Sequence, residues 1–294
     1  MTIPPPTRSG TTSSTPVPLY WAEWGAPTHP PLLLLHGGPG AHHDYLLPQM
    51  LALTATHRVI TYDQRGGGRS RTDQPEPITW QTQVADLALV ASELLPGGPP
   101  TIVGYSWGAL LAMLAAIEAA AGRVGVTPSA LALVSPAGIA RRDKDDADRA
   151  FATRAASPAV QAMRAAVATS PLKTSDPDAY RRLVFEAAVA PWFHDPRRAQ
   201  GLTPFRLVEK VQKSIWASLG DYDLSAGLGT VHVPALVVAG REDPIPVASA
   251  ARIADALRGE CVILDDCGHV PYVEAAPALF GALDRFLSST SGAA

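Results

Sequence analysis

The chain has 294 residues, of which 47% are hydrophobic and 17% charged, and its formal net charge is -3. Such a length and apolar content suffice for one large core, and a near-neutral balance with scattered basic residues excludes the cationic surface that nucleic acid or an anionic membrane requires. Only two cysteines occur, Cys261 and Cys267; they exclude a disulfide framework, are too few for a thiolate metal site, and are expected as buried or partly buried free thiols.

Residues 1–16 are rich in Pro, Thr and Ser and read as a flexible N-terminal tail or an edge segment. They have neither the basic start nor the apolar run of a secretory signal. No stretch reaches the roughly 20 apolar residues of a membrane span, so the cytoplasm is the expected compartment. Pro31-Leu32-Leu33-Leu34-Leu35 is a continuous apolar run, the mark of a strand buried on both faces of a parallel sheet. It ends in a loop, His36-Gly37-Gly38-Pro39-Gly40. Arg58-Val59-Ile60-Thr61-Tyr62 is the next strand and runs into Asp63-Gln64-Arg65-Gly66-Gly67-Gly68-Arg69-Ser70. Trp80, Val84, Leu87, Ala91 and Leu95 then recur at helical spacing until Pro96-Gly97-Gly98 stops the helix.

A short strand at 100–103 leads into Gly104-Tyr105-Ser106-Trp107-Gly108 and a helix-like run at 109–114. Ala130-Leu131-Ala132-Leu133-Val134 is another buried strand. Two more fall at 233–239 and 261–264, with a helix at 249–257 between them. Strand, loop and helix alternate, so the class is α/β with a mostly parallel central sheet flanked by helices. The block 137–229 breaks this rhythm. It is rich in Ala, Arg and Asp, has helical patterns such as 179–189, and reads as a helical cap inserted into a core formed by 17–136 and 230–294.

A serine between glycines at a strand-to-helix turn is a nucleophile elbow, because the turn is too sharp for side chains at its flanks. Ser106 needs a base, since a free hydroxyl is almost wholly protonated at neutral pH. The α/β-hydrolase order is nucleophile, acid, histidine, each on a loop after a strand. Asp243 and His269 occupy those positions after the strands at 233–239 and 261–264. His269 is expected to take the Ser106 proton and return it to the leaving group, with Asp243 fixing the imidazole tautomer. An oxyanion hole needs two backbone N–H groups, each worth roughly 3 kcal/mol. The candidates are Trp107, after the nucleophile, and Gly38 in the His36–Gly40 loop, with His36 anchoring that loop. Tyr105, Trp107, Trp192, Phe193 and Trp216 are candidate walls of an apolar substrate pocket.

The stretches His36-Gly37-Gly38-Pro39-Gly40 followed by His43-Asp44-Tyr45-Leu46, Asp63 to Ser70, and Ser106-Trp107-Gly108 together resemble the prolyl aminopeptidase (proline iminopeptidase) family of α/β-hydrolases. With the Asp243 and His269 loops the likeness covers roughly residues 18 to 288; the cap matches far less well. The resemblance implies release of an N-terminal residue, often proline, from short peptides or amides. That chemistry holds the substrate ammonium with acidic side chains. Here the residue after Asp243 is Pro244, and the cap acid of one branch of the family aligns near Gln212, leaving Glu186 or Glu209 as substitutes.

Three readings follow. The first is an aminopeptidase for small N-terminal residues. The second is an esterase, lactonase or amidase using the same triad on a neutral acyl substrate, with a C–C bond hydrolase or perhydrolase as relatives of that chemistry. The third is a ligand-binding receptor on a hydrolase fold, a class that usually lacks a triad member. A small-molecule or short-peptide substrate is expected, with no metal or organic cofactor, and the oligomeric state is left open.

Overall fold

Where the chain reads as unbroken apolar runs it builds the centre of an eight-stranded sheet, seen in a computed structural model that describes residues 2–73 and 76–290. The strands are β1 (Arg8–Thr11), β2 (Tyr20–Trp24), β3 (Pro31–Leu35), β4 (Arg58–Tyr62), β5 (Thr101–Tyr105), β6 (Ala130–Val134), β7 (Ala235–Gly240) and β8 (Glu260–Leu264). They lie in the order β1-β2-β4-β3-β5-β6-β7-β8. The β1–β2 and β2–β4 pairs are antiparallel and all others parallel.

The helices are α1 (Trp80–Leu94), α2 (Trp107–Ala120), α3 (Arg141–Ala155), α4 (Pro158–Ala168), α5 (Leu172–Ser175), α6 (Pro177–Val189), α7 (Glu209–Leu219), α8 (Ser225–Leu228), α9 (Val247–Leu257), α10 (Pro271–Glu274) and α11 (Ala276–Thr290). Successive strand residues point to opposite faces. Leu33 and Leu35 therefore join α1, α2 and α9 in one apolar cluster, while Leu32 and Leu34 join α11 and the turns at 43–55 in the other. Every residue of α2 from Trp107 to Ala116 is buried, as befits a helix that is apolar all round. Between β6 and β7 the described chain forms α3 to α8 with a single isolated bridge, Ala140 to Asp223, and no strand.

Residues 1–16, expected as a flexible tail or an edge segment, hold the edge strand β1, so the flexible alternative is corrected at Arg8–Thr11. Arg8 pairs with Glu23 and Thr11 with Tyr20, so the backbone of an edge strand finds its partners. Its side chains are mostly exposed, and that erased the alternation by which strands are read from sequence. The backbone N–H groups of Ser13 and Ser14 also donate to the Glu93 carboxylate at 2.9 and 2.8 Å, fastening the segment to α1. Of the two thiols, Cys267 is buried, but Cys261 is exposed because it lies on the edge strand β8. No helix among the described residues is long and apolar enough to cross a membrane.

Candidate active site

Ser106 sits between β5 and α2 with φ 53° and ψ -116°. A residue with a β-carbon enters that region only when its surroundings force it there. They do so here through hydrogen bonds. The Ser106 N–H donates to the Val134 carbonyl at 2.9 Å, and the Ser106 carbonyl accepts from Ala109 and Ala137, both at 3.1 Å. Gly108 is required by packing, since a Cβ there would stand 2.7 Å from the His36 carbonyl oxygen.

His269 and Asp243 are brought to Ser106 from the ends of β8 and β7. The His269 Nε2 lies 2.9 Å from Ser106 Oγ, and its Nδ1 lies 2.8 Å from Asp243 Oδ2. A carboxylate only accepts, so Nδ1 carries the proton and Nε2 is left to accept from the serine hydroxyl. The second carboxylate oxygen, Asp243 Oδ1, accepts from the Ile245 N–H at 2.8 Å. The imidazole is clamped by its own backbone: its N–H donates to the Trp192 carbonyl at 2.7 Å, and its carbonyl accepts from Tyr105 Oη at 3.0 Å. The Trp192 ring stands 4.6 Å from the imidazole, centroid to centroid. Such a hydroxyl–imidazole–carboxylate line is suited to moving a proton off Ser106 Oγ as that oxygen forms a bond.

The loop His36–Gly40 presses on the serine. A Cβ on Gly37 would sit 2.8 Å from both Ser106 Cβ and Tyr45 Oη. Trp107 is the first residue of α2, so its N–H has no intrahelical acceptor. The Gly38 N–H likewise makes no hydrogen bond among the described residues. His36 is fully buried, and burial outweighs the Asp63 charge to bring its pKa down to about 4. It is therefore a neutral ring, with Nδ1 against the Gly37 carbonyl at 2.8 Å and Nε2 accepting from the Gln64 N–H at 3.1 Å. The Gln64 side chain completes the brace: Nε2 donates to the His36 carbonyl at 2.7 Å, and Oε1 accepts from Trp107 Nε1 at 2.7 Å. Sequence reasoning missed Gln64, although it lies inside a motif that had been singled out.

A cavity of about 190 Å³ opens on Ser106 and His269. Gly38, Tyr105, Trp107, Trp192 and Trp216 line it, with Tyr45, Phe205 and Tyr272 as further aromatic walls. Phe193 does not, and its expected role in the pocket is corrected. It is 2% exposed and packs in the apolar cluster beneath α11, its neighbour Trp192 being the ring turned to the site. Neither Glu186 nor Glu209 lines the cavity. Glu186 pairs with Arg182, and Glu209 projects outward to Lys213. The charged groups on the cavity wall are Lys144 and Asp148 of α3, paired at 2.5 Å, with Gln212 of α7 also present. Lys144 Nζ lies 5.2 Å from the Trp216 ring centre. The helical spacing of Lys144 and Asp148 reads as a solvated face, and no local pattern distinguishes them from the other charges of α3.

The fold and this constellation define a class. Residues 32–282 match the model of the alpha/beta hydrolase family, and the chain belongs to that family. It is 27% identical over 257 residues to a proline iminopeptidase of Lactobacillus crispatus (strain ST1), spanning 83% of this chain and 85% of that relative. In fold it is similar to the crystal structure of proline iminopeptidase from Mycobacterium smegmatis, with a TM-score of 0.69 and 21% identity over 96% of this chain and 98% of that one. It is similar also to the enol-lactonase from Burkholderia xenovorans LB400, with a TM-score of 0.65 and 21% identity over 95% of this chain and all (100%) of the other. The likeness to proline iminopeptidases read from the loop motifs agrees with these relatives.

Proposed function

We propose that the protein is a serine hydrolase of the cytoplasm that cleaves an N-terminal residue from short peptides or amides. In this reading Ser106 Oγ attacks the scissile carbonyl while His269 Nε2 takes its proton. The N–H groups of Gly38 and Trp107 hold the oxyanion. His269 then protonates the departing amine, and water releases the acyl group from Ser106 by the same steps in reverse order. Asp243 keeps the imidazole in the working tautomer. The helical block 137–229 acts as a cap that walls the cavity. The observation that carries the reading is the unbroken line of 2.9 and 2.8 Å contacts from Ser106 through His269 to Asp243.

The peptidase specificity is supported by the named relatives and by Asp148, a carboxylate on the cavity wall able to receive a substrate ammonium. The second reading is an esterase or lactonase on a neutral acyl group. It is favoured by the pairing of Asp148 with Lys144, which leaves the wall without net charge. Ser106→Ala is expected to lower kcat at least about a thousand-fold with the melting temperature retained; residual activity of more than a few per cent sinks the nucleophile assignment. Comparing proline and alanine p-nitroanilides with p-nitrophenyl acetate and butyrate separates the two specificities. Turnover of the esters alone removes the peptidase.

A further inference from the structure

The whole chain carries a net charge of -3, yet one groove beside the candidate active site is lined by five arginines against two aspartates. Three of the arginines are matched. Arg69 forks onto Asp44 at 2.8 and 2.6 Å, Arg181 pairs with Asp178, and Arg182 pairs with Glu186 at 2.5 Å. Arg71 and Arg206 are exposed and have no hydrogen-bond or ion-pair partner among the described residues. Two unmatched guanidinium groups on one concave surface favour an anion between them, and a carboxylate suits their flat, forked geometry.

The groove adjoins the catalytic cavity. Phe205 and Leu207 line both. Leu207 is 41% exposed, and a Cβ on Gly38 would lie 3.0 Å from its Cδ2. The segment is pinned there, because the Val208 N–H donates to the Gly40 carbonyl at 3.0 Å. Arg206, next to Leu207, thus stands one residue beyond the wall of the oxyanion loop. Phe205 and Leu207 therefore form a shared wall between the cavity that opens on Ser106 and this groove.

We propose that the groove binds the anionic end of the substrate, a carboxylate placed beyond the scissile bond as at the C-terminus of a short peptide, through Arg71 and Arg206. The proposal rests on the proposed function for the position of the reacting bond and extends it by naming the charge of the departing part.

The test compares kcat/KM for Pro-Gly-Gly as free acid and as C-terminal amide. The unmodified enzyme is expected to prefer the acid at least about five-fold at low ionic strength, with the preference shrinking as salt is raised from about 20 to about 500 mM. The double variant Arg71→Glu/Arg206→Glu should prefer the amide. Arg285→Glu, a single charge reversal on α11 away from the groove, should keep the preference for the acid, while Arg71→Glu and Arg206→Glu, each the same change inside the groove, should each weaken it. Equal turnover of acid and amide by the unmodified enzyme, or a preference that survives the double reversal, overturns the proposal. If neither peptide is cleaved, the aminopeptidase reading fails by itself. The acid and amide of 6-acetoxyhexanoate then put the same question to the groove through an ester bond, with the same expected and overturning results.

Discussion

Gln64 is a side chain whose every polar group is committed. It is 1% exposed, and its carbonyl and amide ends join Trp107 to His36, the two segments that supply the candidate oxyanion donors. Replacing it by leucine leaves the indole N–H and the His36 carbonyl buried without partners, at a cost of roughly 1–3 kcal/mol for each. The loops then relax away from each other. Gln64→Leu is accordingly expected to lower kcat on p-nitrophenyl acetate by about ten- to a hundred-fold with KM changed far less, since donors aimed at the transition state act on kcat. Gln64→Glu keeps the acceptor for Trp107 and should recover part of the loss. A KM effect equal to the kcat effect, or no rescue by glutamate, would show that Gln64 only holds the fold together. Sequence alone could not assign this residue. Its partners lie 28 and 43 positions away, and a glutamine in a glycine-rich turn has no pattern of its own. The same blindness produced the error at Phe193, for nothing in Trp192-Phe193 says which ring turns toward the site.

Elements were legible to the degree that they are buried. β3, β6 and β7 read as apolar runs because both of their faces are covered, whereas β1 lies at the rim with its side chains exposed and left no such trace. The block 137–229 was readable as helical, but its contribution to the site depends on how α7 is held. Val211 and Ile215 are buried, which turns Gln212 and Trp216 toward the cavity. Two serines lock that orientation: Ser214 Oγ donates to the Ile78 carbonyl at 2.8 Å, and Ser218 Oγ accepts from the Trp80 N–H at 3.0 Å. The latter N–H opens α1 and has no partner within that helix. Each bond contributes about 1 kcal/mol, so Ser214→Ala/Ser218→Ala should lower the melting temperature by about 4–8 °C. Because the loosened helix carries two cavity residues, KM for aromatic esters should rise several-fold. An unchanged KM beside the lowered melting temperature would mean that α7 does not shape the bound substrate.

At the scale of the molecule, the parallel sheet sets Ser106, Asp243 and His269 at the ends of β5, β7 and β8, and it is this regularity that makes their loops recognisable in the sequence. What had no such regularity was the chemistry set by tertiary placement: the Lys144–Asp148 pair that α3 turns to the cavity, the arginine groove, and the buried charges that tie stability to pH. His36 is the clearest of these. Burial holds its folded pKa at about 4 against an ordinary value of 6.5. The native state therefore refuses a proton that the unfolded chain accepts, and the stabilisation is complete above about pH 6.5 and lost as the pH falls toward 4, up to about 3 kcal/mol. Asp63 adds to the loss lower down. Burial works to raise it, but the His43 hydrogen bond and charge outweigh that and hold it below the usual carboxylate range, so its share disappears only below about pH 4. Asp86, raised by burial in spite of Arg65, acts in the opposite sense. Asp86 contributes nearly alike to the protein and to a His36→Asn variant, and Asp63, whose charge acts on His36, loses its share only below about pH 4, so the difference between the two from about pH 6.5 to 4 reports the imidazole. The variant should start from a lower melting temperature at pH 7 and then lose several degrees less than the parent between pH 6.5 and 4. Parallel pH curves would show that His36 is already protonated in the folded state, and with it the neutral brace beneath the oxyanion loop would be lost.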